Sequence, residues 1–124
     1  AAILENEFAF DVELSKVCVF PASRVVHLSV GEGSAKLIRL HRAMNRGACE
    51  HLEMFYYHPH VTLAQGLEGD AVMRAKDVAE ERWQGFAGKR GFALERVTLV
   101  QNTGQNNWQN LREFSLRTPV IAWI

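Results

Sequence analysis

Apolar and polar positions change period several times along the chain, and each change predicts an element. Phe8, Phe10, Val12 and Leu14 alternate with Ala9, Asp11, Glu13 and Ser15, the period of a strand with one covered and one polar face. After Pro21, Arg24–Val30 repeats the alternation, with Val26, Leu28 and Val30 on one face and Val25, His27 and Ser29 on the other. Gly31-Glu32-Gly33 breaks it. From Ser34, placed to act as an N-cap, Leu37, Leu40, His41 and Met44 recur at helical spacing until Asn45-Arg46-Gly47. Phe55–Ala64 is rich in aromatic and β-branched residues and predicts a third strand, ended by Gly66. Asp70 can cap a longer helix with the stripe Val72, Ala75, Ala79, Trp83 and Phe86, stopped by Gly88–Gly91. Phe92–Val100 and Trp108–Leu116 predict two closing strands joined by the polar turn Asn102–Asn107.

The order β-β-α-β-α-β-β predicts an α+β fold: an antiparallel sheet with two helices on one face and the opposite face open to a ligand. A chain of 124 residues supplies one core, and no Pro/Gly/Ser-rich linker interrupts it, so residues 1–124 are expected to form a single domain.

Composition narrows the classes of partner. With 14 Lys and Arg against 14 Asp and Glu, the net charge is zero, and no general field draws duplex DNA or an acidic membrane surface. No window holds the roughly eighteen consecutive apolar residues of a membrane span. The two cysteines, Cys18 and Cys49, lack zinc or CxxC spacing; small thiols in a reducing compartment, the cytoplasm, are the expectation.

The chemistry lies in the third predicted strand. Tyr56, His58, His60 and Thr62 share one parity and Tyr57, Pro59, Val61 and Leu63 the other. If Val61 and Leu63 face the helices, the imidazoles and the hydroxyl stand together on the open face. A His and a hydroxyl two residues apart project the same way, about 7 Å apart along a strand. Such a pair can grip one phosphate, the imidazole handling a proton at a bridging oxygen and the hydroxyl bonding a non-bridging one. His27-Leu28-Ser29 repeats the spacing on the second strand, so two facing pairs would supply a base and an acid. His58 would tune His60 or line the cleft rim. No carboxylate follows His60 closely enough to complete a metal site, and no metal or other cofactor is expected. His41, on an apolar helical face, reads as a core or boundary residue, and His51, after Glu50, as solvated. Lys89, Arg90 and Arg96 read as a solvated loop face or a cleft edge, and Trp108 as strand core or a base-stacking ring.

The segment Phe55-Tyr56-Tyr57-His58-Pro59-His60-Val61-Thr62-Leu63-Ala64 resembles the second signature, aromatic-x-Pro-His-x-Thr-Leu, of the 2H phosphoesterase superfamily. That superfamily includes RNA 2′,5′-ligase-like and 2′,3′-cyclic nucleotide phosphodiesterase proteins. The resemblance extends over most of the chain, through Phe8–Val30, Leu37-x-x-Leu40, Phe92–Leu99 and Trp108-x-x-Leu111-x-x-Phe114-x-Leu116. It implies metal-free acid–base chemistry on a small nucleotide or RNA-end phosphodiester, with His60 catalytic and Thr62 a phosphate anchor. The family has two such signatures, and by layout Arg24–Val30 matches the strand ahead of its middle helix. The family's first strand and helix are therefore expected to be missing before Ala1. The chain would then be a fragment, a shortened homologue in which His27 and Ser29 form the second pair, or a member that binds without turnover. In the last case it would be a binding or structural module, and a homodimer would cover the sheet edge left exposed.

Overall fold

The computed structural model describes residues 4, 7–45, 57–105 and 107–118. Its order is β1 (Phe10–Val19), β2 (Val26–Val30), α1 (Ser34–Met44), β3 (His60–Ala64), α2 (Ala71–Gln84), β4 (Gly91–Leu94), β5 (Arg96–Asn102) and β6 (Trp108–Ser115). The fold is α+β, and the described strands pair antiparallel, with one isolated parallel bridge between Phe8 and Arg117. β3, β2, β1 and β4 form a four-stranded sheet in that order, and β5 and β6 form a separate hairpin. Among the described residues no helix is long and apolar enough to cross a membrane.

Phe92–Val100, expected as one strand, divides at Glu95. The reason lies in the register: Leu94 pairs with Phe10, the first residue of β1, and the backbone just before it is taken by Arg117, which bridges to Phe8 and accepts the Ala9 N–H. β5 turns away and pairs with β6, while Glu95 keeps its place by accepting the Leu116 N–H at 2.8 Å. The N-terminal stretch is tied to the same point, since Ala9 donates to the Arg117 carbonyl and Arg117 to that of Glu7.

A β-bulge sets the faces of β1. Leu14 pairs with Val30 but Val17 with Leu28, so β1 carries one extra residue between them. The parity of the strand reverses there, and Leu14, Val17 and Val19 all reach the core under α2. The bulge is pinned from two elements. Trp83 of α2 donates its indole N–H to the Ser15 carbonyl at 2.9 Å. Ser29 of β2 accepts the Lys16 N–H at 3.3 Å and donates its hydroxyl to the Lys16 carbonyl at 3.2 Å.

The apolar stripe of α2 packs as its spacing requires: Val72, Ala75, Ala79 and Trp83 cover Val17, Val26 and Leu28. Phe86, assigned to the same stripe, lies beyond the helix end and is 46% exposed. Leu40 of α1 joins a second cluster with Leu4, Leu116, Phe10 and Phe114. Phe10 and Leu14 share a face of β1, so both helices draw on the same side of the sheet. The cap of α1 is Gly33, with Ser34 the first helical residue. Gly33 has φ +88°, and a Cβ there would meet the Asp11 carbonyl oxygen at 2.5 Å, so only glycine lets α1 start this close to β1.

Candidate active site

β2 is flanked on both sides, whereas β3 lies at the end of the described sheet. Their register sets His27 opposite Thr62 and Ser29 opposite His60, so the two His-x-hydroxyl sequences run antiparallel on one face, each imidazole beside the other strand's hydroxyl residue. The face opposite the helices is therefore the one that carries the expected site. A second bulge sharpens this division. Three residues, Thr62, Leu63 and Ala64, oppose only Val26 and His27, which turns Ala64 to the α2 core while Thr62 stays beside His27. Val61, opposite Leu28, faces the helical side as expected, yet it is 42% exposed because α2 packs on β1 and β2.

The two pairs have different surroundings. His27 is 2% exposed, with Phe20 stacked on it at 3.8 Å between centroids and 17° between planes. Phe20 is placed by the turn after β1, where Phe20 donates to the Val25 carbonyl and Arg24 to that of Phe20. Arg24, with φ +59°, also donates its guanidinium to the Gly69 carbonyl at 2.7 Å, fastening this turn to the loop ahead of α2. The His58 and His60 rings stand edge-on to Phe20, at 5.1 and 4.9 Å, and edge-on to His27, at 5.6 and 5.4 Å. Four aromatic rings thus form one cluster, with His27 beneath and His58, His60 and Thr62 exposed.

Burial pushes the pKa of His27 below its ordinary 6.5; the Val25 carbonyl, 3.3 Å from Nδ1, pulls the other way, and charge on His60 or His58 adds to the lowering. His60 is fixed differently. Its Nδ1 lies 2.6 Å from the His58 carbonyl oxygen. A carbonyl only accepts, so Nδ1 carries the proton and the neutral ring keeps its lone pair on Nε2. This is the tautomer a general base needs if Nε2 is the atom that meets substrate.

Ser29 shares the face, but its hydroxyl donates and accepts within the β1 bulge. Tyr56, Cys49 and His51 lie outside the described residues. His41 stacks on Tyr57 at 4.0 Å with planes 2° apart, a boundary position as its helical spacing suggests. Arg90 lies over the Trp83 ring and donates to the Trp83 and Phe86 carbonyls, while Arg96 pairs with Glu113. Trp108 is 58% exposed, so its strand position does not make it core. Among the described residues, no three His, Cys, Asp or Glu side chains are grouped to hold a metal ion.

Two recesses lie elsewhere. One, of about 640 Å³, is apolar and sits between β3 and α2, lined by Leu63, Val78, Trp83 and Phe86 among others. The second, of about 590 Å³, lies between β1 and the end of β6, beside Asp11, Lys36, Glu95 and Arg96. Neither is lined by His58, His60 or Thr62, which occupy open sheet surface. Sequence reasoning missed Phe20, the ring that organises the cluster. The available signal was an aromatic followed by proline at the end of an apolar strand, one turn before a His-bearing strand.

An antiparallel α+β domain that presents a Pro-His-x-Thr strand on its uncovered face has the layout of the 2H phosphoesterases. A family model described as the 2'-5' RNA ligase superfamily matches residues 1–106, and the chain belongs to that superfamily. Comparison with curated proteins finds no match.

Proposed function

We propose that the chain acts on a 2′,3′-cyclic or other small phosphodiester of RNA or nucleotide type. His60 would take or give the proton, and Thr62 would hold a non-bridging oxygen. The observation that carries this reading is the exposed His60 ring with its tautomer set by the His58 carbonyl, two residues from an exposed hydroxyl on the same face. An imidazole so held needs no tautomer exchange before Nε2 accepts a proton, and the hydroxyl can donate to a phosphate oxygen as the charge there develops. His27 belongs to this reading from beneath: covered by Phe20, it positions His60 through ring contacts and keeps a positive charge out of the sheet. Ser29 serves the same face by holding the bulge beside it.

The test is hydrolysis of nucleoside 2′,3′-cyclic phosphates by the wild type and by His60→Ala. A general acid or base contributes about a hundredfold or more, so the variant should fall by at least that factor. Equal background rates for both would end the enzymatic reading.

A second reading, a non-catalytic binding module that dimerises, is favoured by one observation. β3 ends the described sheet with Val61 and Leu63 42% and 45% exposed, an apolar edge that a second copy could pair with. A monomer at micromolar concentration in size-exclusion chromatography would count against it.

A further inference from the structure

The proposed reaction needs two proton-transfer groups in opposite states, and His27, the expected partner of His60, is buried and covered by Phe20, with its pKa pushed below the ordinary value. A second imidazole does stand in the open. His58 is exposed, its ring centroid 6.3 Å from that of His60, with the planes tilted by 53°. Both rings lean edge-on against the same floor, the Phe20 ring over His27. Buried Pro59 separates them in sequence, its φ fixed, so the backbone that carries His58 into β3 is stiff. Among the described residues no acidic side chain forms an ion pair with His58 or His60, so charge on either ring is open to an anion. Resting on the reading above, we propose that His58 is the second acid–base residue of this site, bracketing one phosphate with His60.

The neutral His60 ring removes a proton from the attacking water through Nε2. The water oxygen bonds to phosphorus as the bond to the 2′ or 3′ oxygen breaks. Protonated His58 gives its proton to that leaving oxygen. A cyclic phosphodiester and water become a phosphomonoester and a free hydroxyl, with His60 left protonated and His58 neutral, and exchange with solvent resets both. Thr62 bonds a non-bridging oxygen throughout. The arrangement gives a rate that falls at low pH, as His60 takes a proton, and at high pH, as His58 loses one. His27 is the other titratable ring in contact with both, and burial pushes its pKa below the ordinary 6.5.

The experiment compares uridine 2′,3′-cyclic phosphate with the 4-nitrophenyl ester of 2′-deoxyuridine 3′-phosphate, which has no 2′-hydroxyl to attack phosphorus in place of water and whose leaving group departs without a proton. His58→Gln should lose about a hundredfold on the cyclic substrate together with the alkaline limb, and less than tenfold on the ester. His60→Gln should lose comparably on both. A wild type that turns over while His58→Gln stays within threefold on the cyclic substrate, or falls equally on both substrates, overturns the role of His58 and leaves His60 in place. A wild type with no turnover of either substrate overturns this inference and the enzymatic reading together.

Discussion

His27-x-Ser29 and His60-x-Thr62 share residue chemistry, spacing and sheet face, and the fold treats them in opposite ways. In the first pair the imidazole is 2% exposed beneath Phe20, and the hydroxyl is bonded to the Lys16 backbone. In the second both groups are exposed, and the only hydrogen bond described for them is the one that fixes the His60 tautomer. Strand position makes the difference. β2 lies between β1 and β3, so the β1 bulge and the turn after β1 close over it from one side, while β3 has a neighbour on one side only among the described strands. A His-x-hydroxyl pair is thus a structural device in the middle of this sheet and a candidate chemical one at its end.

The sharpest way to break this comparison is to delete each imidazole and read rate and stability together. His60→Ala should lower kcat/KM about a hundredfold or more while moving unfolding free energy by less than ~0.5 kcal/mol, as expected of an exposed side chain. His27→Ala should destabilise the chain by about 2–3 kcal/mol in denaturant titration, because it empties a buried site against Phe20. Were the two results interchanged, the assignment of the pairs would be reversed.

The hydroxyls extend the test at smaller scale. Thr62→Val should raise KM for a cyclic phosphodiester about tenfold, the equivalent of one charge-assisted hydrogen bond, with little change in stability. Ser29→Ala should cost about 1 kcal/mol of stability, since it leaves the Lys16 N–H and carbonyl at the bulge without their partner.

The smallest effect is the dependence on pH. His27 titrates below 6.5 in the folded chain and near 6.5 in the unfolded one, so the unfolded chain binds the proton first as pH falls. The stabilisation is complete above about pH 6.5 and is lost as pH falls from there towards the folded pKa. Denaturation midpoints measured at pH 7.5 and 5.5 should differ less in His27→Phe, which keeps a ring against Phe20 without a titrating group, than in the wild type. An unchanged difference would place the proton uptake elsewhere.

Much of the fold follows from periods short enough to read along the chain. The α2 stripe, the alternation of Val26 and Leu28 against His27 and Ser29, and the Pro-His-x-Thr run all depend on side chains within one element. What escaped that reading depends on partners. The strand breaks at Glu95 because the backbone ahead of Phe10 is already paired with Arg117, and nothing in Phe92–Val100 itself announces it. Phe20 reads as the end of an apolar run until the turn after β1 folds it over His27.

The amino-acid sequence by itself determined the superfamily signature, the order of strands and helices and the shared side of imidazole and hydroxyl within each His-x-hydroxyl pair, because strand parity and helical spacing are properties of consecutive residues. Tertiary structure alone decided which imidazole meets solvent. Exposure is set by what packs across a strand, here an aromatic ring from the preceding turn and two bulges that shift register, and these bring together residues that sequence distance keeps apart.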